Sequence, residues 1–275
     1  MSRRPLDRRA LFASGAAAAL LAATGVSAGP LPARGGHLRL AVSGAARDDS
    51  WTQGEGLFMR LARVGLIYET LTEIAADGTL RPDLATAWRS ADAGRRWRFD
   101  LRRDAVFHDG APFTAKDAAA SLAAIGTARA TGRFGVEVTL DRPDPALPFS
   151  LATLPMRPAH APDAGIGTGL YTLRRFTPGQ QLIADRTATH RKDGAAGWFD
   201  TVELVSIPAA PVRAQAVAEY LVDGADIDDA TPLTGFDDIA LFDGHAIARS
   251  IALPPVTGTT APFDDLRAPL RWWLA

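Results

Sequence analysis

Between residues 66 and 125 the chain carries local signals in an order that few folds can satisfy. An apolar stretch closing on Leu66, Ile67 and Leu71 reads as the end of a helix. Asp77-Gly78 is a turn pair, and Arg81-Pro82 halts regular structure because proline has a fixed φ and no N–H. Residues 83–88 then predict a second, short helix. From Arg96 to Leu101 the residues alternate, with Trp97, Phe99 and Leu101 on one side and Arg96, Arg98 and Asp100 on the other. That is the period of a half-buried strand, and Ala93-Gly94 supplies the turn before it. Thr114 stands three residues before Asp117 at the head of an Ala/Leu/Ile run, a capping-box spacing that predicts a helix over 115–125.

The same alternation predicts strands at His37 to Val42, at Gly135 to Leu140, and over 172–176, 181–185 and 201–207. Residues 210–222 read as a helix stopped by Gly224. Strands and helices interleave, so the fold class is mixed α/β. With 47% hydrophobic residues and mean hydropathy near zero over 275 residues, there is apolar material for a core or two.

Several chemistries are absent. Without cysteine there is no disulfide, thiolate metal site or cysteine nucleophile. His37, His108, His160, His190 and His245 are dispersed with no i, i+4 pair, so no local metal motif exists, and no cofactor motif is found. A nucleotide loop at Gly165-x-Gly167 fails because Leu170 stands where a third glycine is needed. Four arginines and one aspartate fall within residues 1–28, which leaves the rest mildly acidic and without a basic field for nucleic acid. With no Gly-x-Ser-x-Gly elbow, and acidic pairs best read as turn residues, an enzyme is not expected.

Four runs in fixed order carry a family resemblance: Tyr68-Glu69-Thr70-Leu71, Asp77 through Trp88, Ala93-Gly94 through Arg102, and Val106 through Asp117. Together they closely resemble the extracellular solute-binding proteins of family 5, cluster C, the receptors of dipeptide, oligopeptide and nickel ABC importers. Thr70 stands where the family usually has glycine, and Ala93 where it has an acidic turn residue. The resemblance implies a periplasmic binding protein-like (type II) α/β fold and a partner permease in the inner membrane. It also implies a small solute or peptide as ligand, bound between two lobes. Its organisation would place a first lobe at 29–60 and 168–260, a smaller inserted lobe at 61–167, and the start of a second large lobe at 261–275. On this reading the rest of that second lobe is expected to be missing.

Two elements are the candidate ligand contacts. Gln53-Gly54-Glu55-Gly56-Leu57 resembles a glutamate-glycine-apolar element that contacts peptide in oligopeptide receptors; a solvated glycine loop is the competing reading. Gly167-Thr168-Gly169-Leu170-Tyr171 resembles the family's crossing element between lobes, with leucine in place of proline.

Arg3, Arg4, Arg8 and Arg9 precede an uncharged stretch over 10–33, with small residues at Val26-Ser27-Ala28. This pattern predicts an export signal cleaved after Ala28 and a periplasmic location. The run around Arg8 and Arg9 resembles a twin-arginine signal, and the general secretory route is the alternative. Alanine, glycine, serine and threonine dominate the stretch, which favours a signal over a membrane anchor. At the other end Trp272 and Trp273 are adjacent, so a helix cannot bury both on one face, and self-association or docking through them is expected. The ligand-free alternative is a remnant or accessory domain that no longer binds solute.

Overall fold

The computed structural model describes residues 34–75 and 78–241. β1 (His37–Val42) buries Leu38, Leu40 and Val42, as its alternation predicts. α1 (Leu57–Arg60) continues into a wider π-helical stretch, Leu61–Ile67, where the Tyr68 N–H reaches back five residues to the Arg63 carbonyl at 2.7 Å. Tyr68 is already extended (φ −106°, ψ 155°), so Tyr68 to Leu71, expected to close a helix, instead leaves it.

The chain passes through β2 (Thr72–Ile74) and β3 (Leu80–Pro82) into β4 (Ala85–Ala91). The short helix expected over 83–88 is therefore overturned. That stretch has no strong helix breaker of its own. Backbone pairing decides it: the Ala85 N–H donates to the Leu71 carbonyl at 2.9 Å, and Trp88 lies opposite Phe99 of β5 (Arg96–Leu101).

Between β4 and β5 the turn Asp92–Gly94 takes left-handed backbone at Ala93 (φ 56°) and Gly94 (φ 91°). The Trp97 indole N–H donates to the Gly94 carbonyl at 2.8 Å, which fixes this turn on the strand it opens. Trp97, Phe99 and Leu101 are buried, Arg96 is exposed and Arg98 is half-buried. α2 (Ala115–Leu122) begins at the expected box: the Asp117 carboxylate accepts the Thr114 N–H at 2.9 Å and its hydroxyl at 2.8 Å. The helix is three residues shorter than expected.

Residues 126–134, for which the sequence shows no strand pattern, contain a further strand, β6 (Thr127–Gly132), paired with β7 (Gly135–Thr139). Its residues are mostly exposed, so it has no apolar alternation to read. α3 (Leu147–Ser150) follows, then β8 (Tyr171–Thr177), β9 (Gln181–Arg186), β10 (Thr201–Ser206), α4 (Ala210–Ala218) and β11 (Gly224–Ala225). α4 stops short of the expected residue 222 because Tyr220 turns left-handed (φ 57°) and the Leu221 N–H folds back onto the Ala216 carbonyl at 2.9 Å.

The larger sheet has the order β11-β1-β10-β9-β8, with β1 parallel to both β10 and β11. The second sheet, β4-β5-β7-β6, is antiparallel throughout. Each has its own apolar core. Leu38, Phe58, Leu66, Tyr68, Tyr171, Leu182 and Leu204 pack on the first, and Leu71, Phe99, Phe113, Leu122, Val136 and Met156 on the second. Core membership changes between Tyr68 and Leu71 on the way out and between Ile166 and Leu170 on the way back. The outgoing and returning segments touch: the Gly169 N–H donates to the Ile67 carbonyl at 2.8 Å.

Candidate functional site

Three parallel strands end together, and in open α/β sheets ligands meet the loops beyond the carboxyl ends of such strands. Ser43, next after β1, donates its N–H to Asp226 Oδ1 at 2.9 Å and its hydroxyl to Oδ2 at 2.6 Å. The buried Arg213 guanidinium, from α4, donates to the Asp226 carbonyl at 2.6 Å and to the Ile207 and Pro208 carbonyls at 2.8 Å each. One network thus ties the ends of β1, β10 and β11. Its buried charges are paired, as desolvation demands.

The loop leaving Ser43 is pinned from beneath. Arg63 reaches up from the π-helical stretch and donates to the carbonyls of Ser50 at 2.7 Å, of Gly54 at 2.8 Å, and of Gln53. Burial lowers the Arg63 pKa, opposed by the charges of Glu55 and Asp49. Asp49, itself buried, accepts the Ala46 N–H at 2.7 Å. Gly54 has φ 95°, and a Cβ there would lie 2.2 Å from the Asp49 carboxylate. A Cβ on Gly56 would lie 1.7 Å from the Gly44 carbonyl oxygen. Gly56 therefore lets backbone lie on backbone, and Gly54 lets the loop lie on the Asp49 side chain. Gln53 and Glu55 nonetheless present exposed side chains, while Leu57 is half-buried against the first core.

The second candidate element is placed differently. Gly167, Thr168, Gly169, Leu170 and Tyr171 are all buried in the crossing between the two cores. A Cβ on Gly167 would lie 1.8 Å from the Ile67 carbonyl oxygen, and one on Gly169 2.3 Å from that of Leu66. The Tyr171 hydroxyl donates to the Phe199 carbonyl at 3.1 Å. The two elements do not form one solvent-facing surface.

Beside the crossing lies a charged cluster that sequence reading missed. Glu69, Glu73 and Asp83 are buried and face Arg191 and Lys192 from the loop after β9. Arg191 grips both Glu69 oxygens and, at 2.6 Å, Asp83; Lys192 lies 2.8 Å from Asp83, 3.0 Å from Glu73 and 3.3 Å from Glu69. Burial and the neighbouring Asp83 push the Glu69 carboxyl up, but Lys192 and Arg191 outweigh them and hold it below the ordinary range. Only the Tyr-Glu pair of the opening motif hinted at a role for Glu69. Its partners lie more than a hundred residues away.

Among the described residues, no group of three or more His, Asp or Glu is placed to hold a metal. A surface groove of ≈ 440 Å³, lined by Ile125, Leu140, Arg142 and Leu147 among others, contains none of the expected ligand contacts. No helix among the described residues is long and apolar enough to cross a membrane. Arg8, Arg9, Ala28, Trp272 and Trp273 lie outside the described residues. What the site offers is a rigid rim of loop backbone with two exposed polar side chains.

Known proteins share this architecture. The chain is 40% identical over 60 residues to the nickel-binding periplasmic protein of Escherichia coli, covering 22% of this chain and 12% of that one. It is 27% identical over 237 residues to the periplasmic murein peptide-binding protein MppA of the same organism, covering 70% of this chain and 42% of the relative. The crystal structure of NikZ from Campylobacter jejuni in complex with Ni(L-His) superposes with a TM-score of 0.62 at 22% identity, over 76% of this chain and 46% of that one. This likeness shows the periplasmic binding protein-like fold. The chain spans less than half the length of each of these proteins. Residues 79–244, more than half of the sequence, match the family model described as bacterial extracellular solute-binding proteins, family 5 Middle. The chain belongs to the bacterial extracellular solute-binding proteins of family 5.

Proposed function

We propose that the chain is the substrate-binding component of an ABC importer, taking up a peptide or a related solute, and that it works in the periplasm with a permease of the inner membrane. The observation that carries this is the preorganised rim. Loop 43–57 is tied down by Arg63 and Asp49 at the carboxyl ends of three parallel strands and presents Gln53 and Glu55 outward. A rim already ordered before binding spends little ligand affinity on ordering itself.

In this reading Gln53, Gly54, Glu55, Gly56 and Leu57 form the ligand-facing element. Gly167, Thr168, Gly169 and Tyr171 act behind it, holding the two lobes in register. The lobe boundaries expected at 60/61 and 167/168 stand on the returning side, and on the outgoing side are redrawn between Tyr68 and Leu71, because Leu61, Leu66 and Ile67 pack in the first core. The signal over residues 1–28, with Arg8 and Arg9 and cleavage after Ala28, delivers the protein. Trp272 and Trp273 form a contact for self-association or docking.

A thermal-shift titration of the purified chain with mixed di- to pentapeptides and with nickel–histidine chelate tests the reading. Saturable stabilisation at about one hundred times Kd amounts to about 2.7 kcal/mol. No shift with any of them removes solute binding and leaves the second reading, an accessory domain that binds no solute.

A further inference from the structure

The crossing between the two cores is held by two histidines, one from each side. His108, from the loop before α2, accepts the Gly167 N–H at Nδ1 (3.3 Å) and meets the Gly169 carbonyl at Nε2 (2.9 Å). Its own N–H donates to the Gly167 carbonyl at 2.9 Å. His190, from the loop after β9, meets the Thr168 carbonyl at Nε2 (3.0 Å) and accepts the Lys192 N–H at Nδ1 (3.1 Å). Three successive residues of the returning segment are thus gripped by two imidazoles.

Each ring is caught between a donor and an acceptor. A backbone N–H aimed at Nδ1 requires a lone pair there, and a carbonyl at Nε2 requires a proton there. These partners satisfy His108 as the neutral Nε2–H tautomer, and the Thr168 and Lys192 contacts satisfy His190 in the same form, with the Arg191 guanidinium also 3.4 Å from its Nε2. Protonation would set an N–H at Nδ1 against the N–H of Gly167 or of Lys192, replacing a hydrogen bond with a repulsion.

We propose that His108 and His190 form a proton-sensitive latch on the crossing between the two lobes, closed near neutral pH and released by mild acidification.

The surroundings agree. Burial lowers the pKa of both rings. His108 faces two carboxylates, Glu69 and Asp109, which oppose that shift. His190 faces Glu69 at 3.8 Å, Arg191 at 3.4 Å, the Lys192 ammonium, and Asp193, which accepts its backbone N–H at 2.8 Å. Arg191 and Lys192 pair with Glu69, Glu73 and Asp83, and although the Glu69 charge still favours the charged form of each ring, burial outweighs it. The sign follows directly. A histidine held below its free pKa stabilises the closed crossing above that pKa, and the stabilisation fades as pH falls through it. Glu69, held low, stays ionised in the same range.

A ring neutral when closed and titrating at about 6.5 when released raises the open fraction about tenfold between about pH 7.5 and 5.5. Two such rings raise it up to about a hundredfold. The latch stands whether or not the chain binds a solute.

Hydrogen exchange on the full chain, corrected for the intrinsic pH dependence of amide exchange, tests it. Protection over residues 165–171 is compared with protection over 201–206, in β10. The crossing is expected to lose protection relative to the core strand as the pH falls from about 7.5 to 5.5, by up to about tenfold for each ring. His108→Gln and His190→Gln, which keep an amide donor but do not titrate, should each remove about tenfold of that dependence. Should either variant fail to fold, ¹⁵N spectra of the histidine rings in the unaltered chain give the answer instead. Both rings are expected as the Nε2–H tautomer with apparent pKa values below about 6.5. Exchange at the crossing that keeps pace with β10, or rings that titrate at or above the free value, would overturn the latch.

Discussion

Loop 53–57 and crossing 167–171 look alike in sequence, each carrying two glycines around one polar residue, yet the molecule uses them in opposite ways. In both, the glycines permit backbone to lie against backbone: Gly56 on Gly44, Gly167 on Ile67. The difference lies in the residue between them. Glu55 is exposed at the end of three parallel strands, whereas Thr168 is 2% exposed and buried beside His190. A glycine pair therefore announces a close approach without saying whether the neighbour is a ligand or the chain itself. Only the fold around the intervening side chain decides.

That contrast can be broken by substitution, and the largest effect belongs to the crossing. Gly167→Ala places a Cβ on the Ile67 carbonyl where both segments are walled in, and should cost about 3 kcal/mol or more in denaturant melts. A loss under about 1 kcal/mol would mean the crossing can relax like a surface loop. Arg63→Gln comes next. Withdrawing the guanidinium strands three loop carbonyls and should cost about 2–3 kcal/mol, with faster hydrogen exchange over residues 50–54. Unchanged exchange there would show that the loop holds its shape without the arginine.

Gly56→Ala makes an approach as tight as that of Gly167, but on a segment with a solvent side to move into, and is expected to cost about 1–2 kcal/mol. Equal losses at Gly56 and Gly167 would erase the distinction between the two elements. Glu55→Ala should leave stability within about 0.5 kcal/mol while weakening any solute found by titration. A large stability loss at Glu55 would make it a structural residue and remove it from the ligand-facing rim.

Much of the fold was legible because its signals are local. Alternation marks β1, β5, β7, β9 and β10, since each buries one face, and the Thr114–Asp117 box marks the start of α2 within hydrogen-bond reach of itself. β4 and β6 were illegible for the complementary reason. Each is mostly exposed along its length, so neither face carries an apolar period, and each becomes a strand only through its partner, β5 or β7. At the candidate site, the motif located the loop and the crossing but could not say which faces outward. The cluster of Glu69 and Asp83 with Arg191 is assembled from segments more than a hundred residues apart, and no window of sequence contains it.

The contact of Gly169 with Ile67 has a topological meaning. The chain leaves the first core and re-enters it at nearly one point, so the segment between is joined through one narrow covalent neck, with Glu73 and Asp83 pairing back across it to Arg191 and Lys192. Closing the gap left by its removal would need only a very short bridge, and short closures of adjacent ends carry little entropic penalty. A permissive graft site of this kind lets one lobe be exchanged or reshaped without rethreading the other.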